Sequence, residues 1–138
     1  MNKIRVAVFA QHQTRPRLLE LLQPHADIQP SVLTASVQDL WQGIVQHDPQ
    51  VVLVETHPEL ADTISLIKQI QSHHLEIRCV VLAHRLDMGH VRQAVDVGAM
   101  GYLLIEPEVD DLATPIRLVF SGKFTCSPEI ARLLASTG

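Results

Sequence analysis

Short apolar runs alternate with stretches of helical period along almost the whole chain. Residues 4–9, 28–33, 51–55, 78–83 and 101–105 read as strands, because each is brief, apolar and bounded by polar or turn-forming residues. The intervening segments carry apolar side chains at helical spacing. Residues 15–22 present Leu18, Leu19, Leu21 and Leu22, while Ser36 followed by Asp39 predicts the start of a helix through residue 46 with Leu40, Trp41 and Ile44 inward. Residues 60–72 repeat the pattern through Ile64, Ile67 and Ile70. Helices over 88–97 and 110–121 are predicted to stop at Gly98 and Gly122, each suited to the left-handed backbone that closes a helix.

Five strands alternating with five helices imply an α/β protein whose parallel sheet is covered on both faces. Pro30 refines the topology. A proline inside a strand forfeits a ladder hydrogen bond unless the strand lies at an edge, which favours a flavodoxin-like, doubly wound sheet of order 2-1-3-4-5 with the second strand outermost. Pro115 fits the last of these helices if it falls in the first turn, where backbone N–H groups have no helical partner.

Composition narrows the function classes. The chain has 138 residues, 46% of them hydrophobic, enough for one domain with a real core. A net charge of -4 gives no basic field for a nucleic acid, so DNA contact would need another domain. No stretch approaches the length of a membrane span, and Met1-Asn2-Lys3 runs directly into the first strand; a cytoplasmic address with no membrane partner is expected. Cys79 and Cys126 share no paired spacing and read as reduced thiols.

The run Pro49-Gln50-Val51-Val52-Leu53-Val54-Glu55 and, above all, Gly98-Ala99-Met100-Gly101-Tyr102-Leu103-Leu104 resemble the receiver domain of response regulators, in the variety that opens LuxR/NarL-type transcription factors. The resemblance implies a receiver-like domain over residues 1–125, with 126–138 beginning a linker helix at Ser127-Pro128-Glu129 toward an output domain. It also implies five chemical positions, and this chain departs from the family at each. Ala10 and Gln11 stand where two acids would help hold magnesium, and Glu55 stands where an aspartate would accept the phosphoryl group. Ala83 replaces the hydroxyl residue and Ile105 the lysine that would bind that group. Tyr102 occupies the family's switch aromatic, to be found either inward over the small Ala83 or exposed at the edge. Glu55 is expected as a solvated strand-end acid, with mimicry of a phosphate as the alternative.

The expected function is therefore phosphorylation-independent regulation by protein contact in signal transduction or transcription, with no enzymatic activity, cofactor or metal. Partners would be a second copy, through the fourth helix, fifth strand and fifth helix or through the first and fifth helices, and other regulatory proteins. Ile116, Arg117, Val119 and Phe120 are the candidate contact residues of the fifth helix. His12, His57 and His84 each follow a strand end and should share a rim with Glu55, which leaves open a ligand-, pH- or metal-sensing role. His73 and His74 suit a helix C-terminus, whereas His25, His47 and His90 read as surface residues. A small flavin or nucleotide-binding protein is a third possibility, although residues 10–16 lack a Gly-rich phosphate loop.

Overall fold

The computed structural model describes residues 3–105 and 109–137. Met1 and Asn2, expected to lead into the first strand, and Gly138, at the end of the expected linker, lie outside them. The elements run β1 (Ile4–Phe9), α1 (Arg15–Leu22), β2 (Ile28–Thr34), α2 (Val37–His47), β3 (Val51–Glu55), α3 (Thr63–His73), β4 (Arg78–Ala83), α4 (Met88–Asp96), β5 (Gly101–Leu104), α5 (Ala113–Phe120), β6 (Thr125–Cys126) and α6 (Pro128–Thr137). All the strand pairs are parallel, and the order is β2-β1-β3-β4-β5-β6.

The expected order holds, and one short strand is added at the far edge. The polar surroundings of Thr125 and Cys126 carry no strand signal; their place is set by Thr125 N–H donating to Met100 O and Ser127 N–H donating to Tyr102 O. The linker segment then folds back as α6, whose Ile130 is buried in the same apolar cluster as Val81 and Tyr102. Pro30 does lie in the edge strand. The register skips from Val6 opposite Pro30 to Ala7 opposite Val32, so the proline sits beside an irregularity that already interrupts the ladder.

Two apolar layers flank the sheet. Successive residues of β1 divide between them: Ala7 and Phe9 pack with Leu40, Ile67, Val91 and Ile130 on the α2, α3, α4 and α6 side, while Val6, Val8 and Ala10 pack with Leu18, Leu22, Ile116 and Val119 on the α1 and α5 side. Cys79 is buried in the first layer, where burial pushes its thiol up to about 12; it is an unreactive packing residue.

Helix ends fall where capping groups decide. Ser36 accepts from Asp39 N–H as expected, but α3 begins at Thr63, because Asp62 caps it by accepting from Ser65 N–H at 2.9 Å. Helix α5 begins at Ala113 rather than near Asp110, which puts Pro115 third in the helix, where its missing donor costs nothing. Gly98 and Gly122 have φ of 107° and 89°, the left-handed backbone expected after α4 and α5. Gly101 serves spacing instead: a β-carbon there would press on both Val80 and Thr125, at 3.1 and 3.2 Å.

Some of the four candidate contact residues of α5 must pack inward, and the structure divides them. Ile116 and Val119 are buried in the core, and Arg117 is bound to Asp27, so only Phe120 of the four candidate contact residues presents a substantial apolar surface. The helix is rich in apolar residues because the sheet needs them. Strand β5 likewise is no edge, since β6 is hydrogen-bonded along it.

Candidate functional site

The C-terminal ends of β1, β3 and β4 open onto a cleft of about 670 Å³, lined in part by Gln11, Thr14, His57, Ala83, His84 and Tyr102. Glu55 closes β3 beneath it and is 0% exposed. That corrects the expectation of a solvated strand-end acid. A carboxylate out of water is tolerated only when its oxygens are hydrogen-bonded, and both are. Oε1 accepts from Gln11 N–H at 2.8 Å; Oε2 accepts from the Thr14 hydroxyl at 2.8 Å and lies 2.5 Å from His84 Nε2. Two loops thereby converge on the side chain at the end of β3: that after β1 through Gln11 and Thr14, and that after β4 through His84.

The rim histidines divide. His84 meets Glu55 directly, and the ring of His57 packs edge-on against it with centroids 6.1 Å apart. His57 Nδ1 accepts from Glu59 N–H, which places the proton of the neutral ring on Nε2. His12 is exposed and lies outside the cleft lining. Among the described residues no cluster of three or more His, Cys, Asp or Glu side chains could hold a metal ion.

The other four chemical positions are apolar or turned elsewhere. Ala10 is buried in the α1 and α5 layer, as is Ile105, whose N–H donates to Ala83 O. Gln11 directs its side-chain amide to Glu59 at 3.2 Å, and Ala83 is buried at the cleft wall. Tyr102 lies inward, 1% exposed, in the same apolar layer as Ala83. Its hydroxyl lies 2.6 Å from Nδ1 of His90, with the two rings nearly perpendicular at 73°. Burial, reinforced by the nearby Asp87 carboxylate, pushes the phenol up to about 12, so it remains protonated.

Two site residues escape sequence reasoning. Thr14 precedes α1 like an ordinary capping residue, yet its hydroxyl makes no cap bond and turns to Glu55. His90 was expected at the surface and is half-buried against Tyr102. Only the placement of α4 over β5 distinguishes it from His47, which is exposed.

No protein-family model matches the chain. A two-component response regulator of the LuxR family from Aurantimonas superposes with a TM-score of 0.87 at 18% identity, covering 99% of this chain and 98% of that one. The fold is that of a response-regulator receiver domain. An RcsB chain from a structure of two RcsB dimers bound to two parallel DNAs shares the receiver fold, with a TM-score of 0.85 at 20% identity over 97% of this chain and 69% of its own. In sequence, the transcriptional regulatory protein YvfU of Bacillus subtilis is 27% identical over 93 residues, 67% of this chain and 46% of its own. The chain spans between 46% and 61% of the length of the curated relatives it matches. Among the described residues no helix is long and apolar enough to cross a membrane.

Proposed function

We propose that this chain is a regulatory module of receiver fold that works without phosphorylation, through contact with other proteins, in signal transduction that controls transcription. The observation that carries the reading is the state of Glu55. Receiver chemistry needs an exposed aspartate, a metal held by neighbouring acids, and a hydroxyl and a lysine to receive the phosphoryl oxygens. Here the acceptor position holds a buried carboxylate whose two oxygens are already engaged by Gln11, Thr14 and His84. Ala10, Gln11, Ala83 and Ile105 supply none of the remaining groups. Incubation with acetyl phosphate or phosphoramidate and magnesium is expected to add no phosphoryl mass, and Glu55→Asp alone is expected to add none either. A labile adduct on the parent protein would overturn the reading.

Self-association is the second part of the proposal. With β5 covered by β6, Val95, Phe124 and Leu133 are exposed apolar side chains of this region, and Phe120 stands apart on α5. RcsB dimers on DNA lend support by analogy of fold. Segment 126–138 would lead to a DNA-binding output domain. Light scattering at micromolar concentration is expected to give a dimer, and a strictly monomeric species at high concentration would sink this part.

A second reading has its own observation. His84 touches Glu55 and His57 touches His84, so the rim is built to register a change of proton or ligand. Dimerisation followed from pH 7.5 to 5.5 in the parent and in a triple variant with His12, His57 and His84 changed to Gln tests it. Superimposable curves would remove the rim from the function.

A further inference from the structure

The end of the sheet opposite the cleft carries a second groove, of about 290 Å³, where β1, β3 and β4 begin. Arg5, Asp48, Gln50, Glu76, Arg78 and Phe120 line most of it. Several of its polar groups are already engaged with one another. Arg5 donates from Nε to Asp48 O at 2.8 Å and from Nη2 to Asp48 Oδ2 at 3.4 Å, and Gln50 Oε1 accepts from Arg5 N–H at 3.0 Å. Glu76 Oε1 lies 3.7 Å from His74 Nδ1.

Arg78 differs from these. It opens β4 half-buried, and its backbone N–H is spent in the sheet on Gln50 O at 3.0 Å, but its guanidinium has no hydrogen bond or ion pair among the described residues. The group stands near the C-terminal end of α5, since a β-carbon at Gly122 would lie 4.0 Å from Nη2. The helix dipole favours a cation there without using any of its N–H groups, so a planar fork of donors is left facing the groove.

The surroundings select what that fork would take. Phe120 lines the groove at 44% exposure, and Leu75, next to Glu76 at the margin, is 78% exposed. Arginine and aromatic side chains are the groups that protein contacts gather at their centres. Asp48 and Glu76 line the same groove, and their two negative charges oppose a polyanion such as phosphate or a nucleic acid. A single carboxylate aimed at Arg78 meets two parallel donors instead. The volume suits one or two inserted side chains rather than a larger ligand.

We propose that this groove is a docking site for a partner protein that inserts one carboxylate side chain, with an apolar neighbour, onto Arg78 and Phe120. The site lies at the other end of the sheet from Glu55, so it stands whether or not the chain is phosphorylated or self-associates.

The capped tripeptide acetyl-Leu-Glu-Leu-amide serves as the probe, titrated at constant ionic strength while arginine Nε–H and backbone amide signals are followed by NMR. In the parent, the Nε–H of Arg78 and the amide of Phe120 are expected to shift together and to saturate. The glutamine analogue of the peptide and inorganic phosphate are each expected to bind at least roughly ten-fold more weakly, the effect of a charge-assisted hydrogen bond. Arg78→Gln should abolish the preference for the acidic peptide, and Arg78→Lys should keep only part of it, because a point charge replaces the fork. Phe120→Ala should weaken both peptides and leave the preference intact. Shifts that grow linearly without saturating, equal affinity for the two peptides in the parent, or phosphate binding more tightly than the acidic peptide would overturn the proposal.

Discussion

Asp27 and Glu55 both meet basic side chains at hydrogen-bonding distance and differ in nearly everything else. Asp27, just before β2, takes a two-pronged bond from Arg117 of α5, at 2.8 and 2.9 Å, with both side chains open to solvent. Glu55 meets His84 at 2.5 Å with its own side chain wholly out of water. The exposed pair has the geometry usually praised in an ion pair, yet water competes for both partners and salt screens them. The buried pair is weaker evidence of net stability, but breaking it strands a charge. Environment, more than geometry, decides which pair the fold depends on.

Removal of the basic partner exposes the contrast most sharply. His84→Ala is expected to destabilise the protein by about 2 kcal/mol in denaturant unfolding, since a buried carboxylate loses a donor and only partly regains it from water. A loss no larger than that of Arg117→Ala would break the distinction. Thr14→Val is the next largest, about 1 kcal/mol, because the Gln11 N–H and His84 still hold Glu55; an unchanged midpoint would mean that the hydroxyl is dispensable.

Acid sharpens the other side. Arg117 lowers Asp27 to about 2 from its ordinary 3.8, so the pair's contribution is complete above about pH 4 and is lost as pH falls through about 2. The small difference in stability between the parent and Asp27→Asn should close over that window; a difference that persisted below pH 2 would need another cause. Salt gives the smallest effect: 0.5 M sodium chloride, added for the test, is expected to narrow the Asp27→Asn difference while leaving that of His84→Ala intact.

The core was legible in the sequence because strand and helix periodicities are local. The apolar residues of β1 and β3 to β5 announce a sheet covered on both faces, and Pro30 marks its edge. Boundaries were less legible where a side-chain cap overrode the apolar pattern, as Asp62 does at α3. Helix α5 shows the opposite limit: its composition implied that some apolar residues pack inward and a patch remains, but composition cannot say that Ile116 and Val119 are the inward ones.

By itself the sequence determined the α/β order of elements, the left-handed ends at Gly98 and Gly122, and which residue types stand at Ala10, Gln11, Glu55, Ala83 and Ile105. Each of these depends on residue type and spacing along the chain. Only the tertiary structure decided that Glu55 is buried rather than solvated, that Thr14 and His84 hold it, that Tyr102 lies inward on His90, and that β6 covers the edge of β5. These are contacts between residues that the chain separates by 12 to 41 positions, as from Tyr102 to His90 and from Glu55 to Thr14. Burial and hydrogen-bond partners at such distances arise only when the loops at one end of the sheet are brought together.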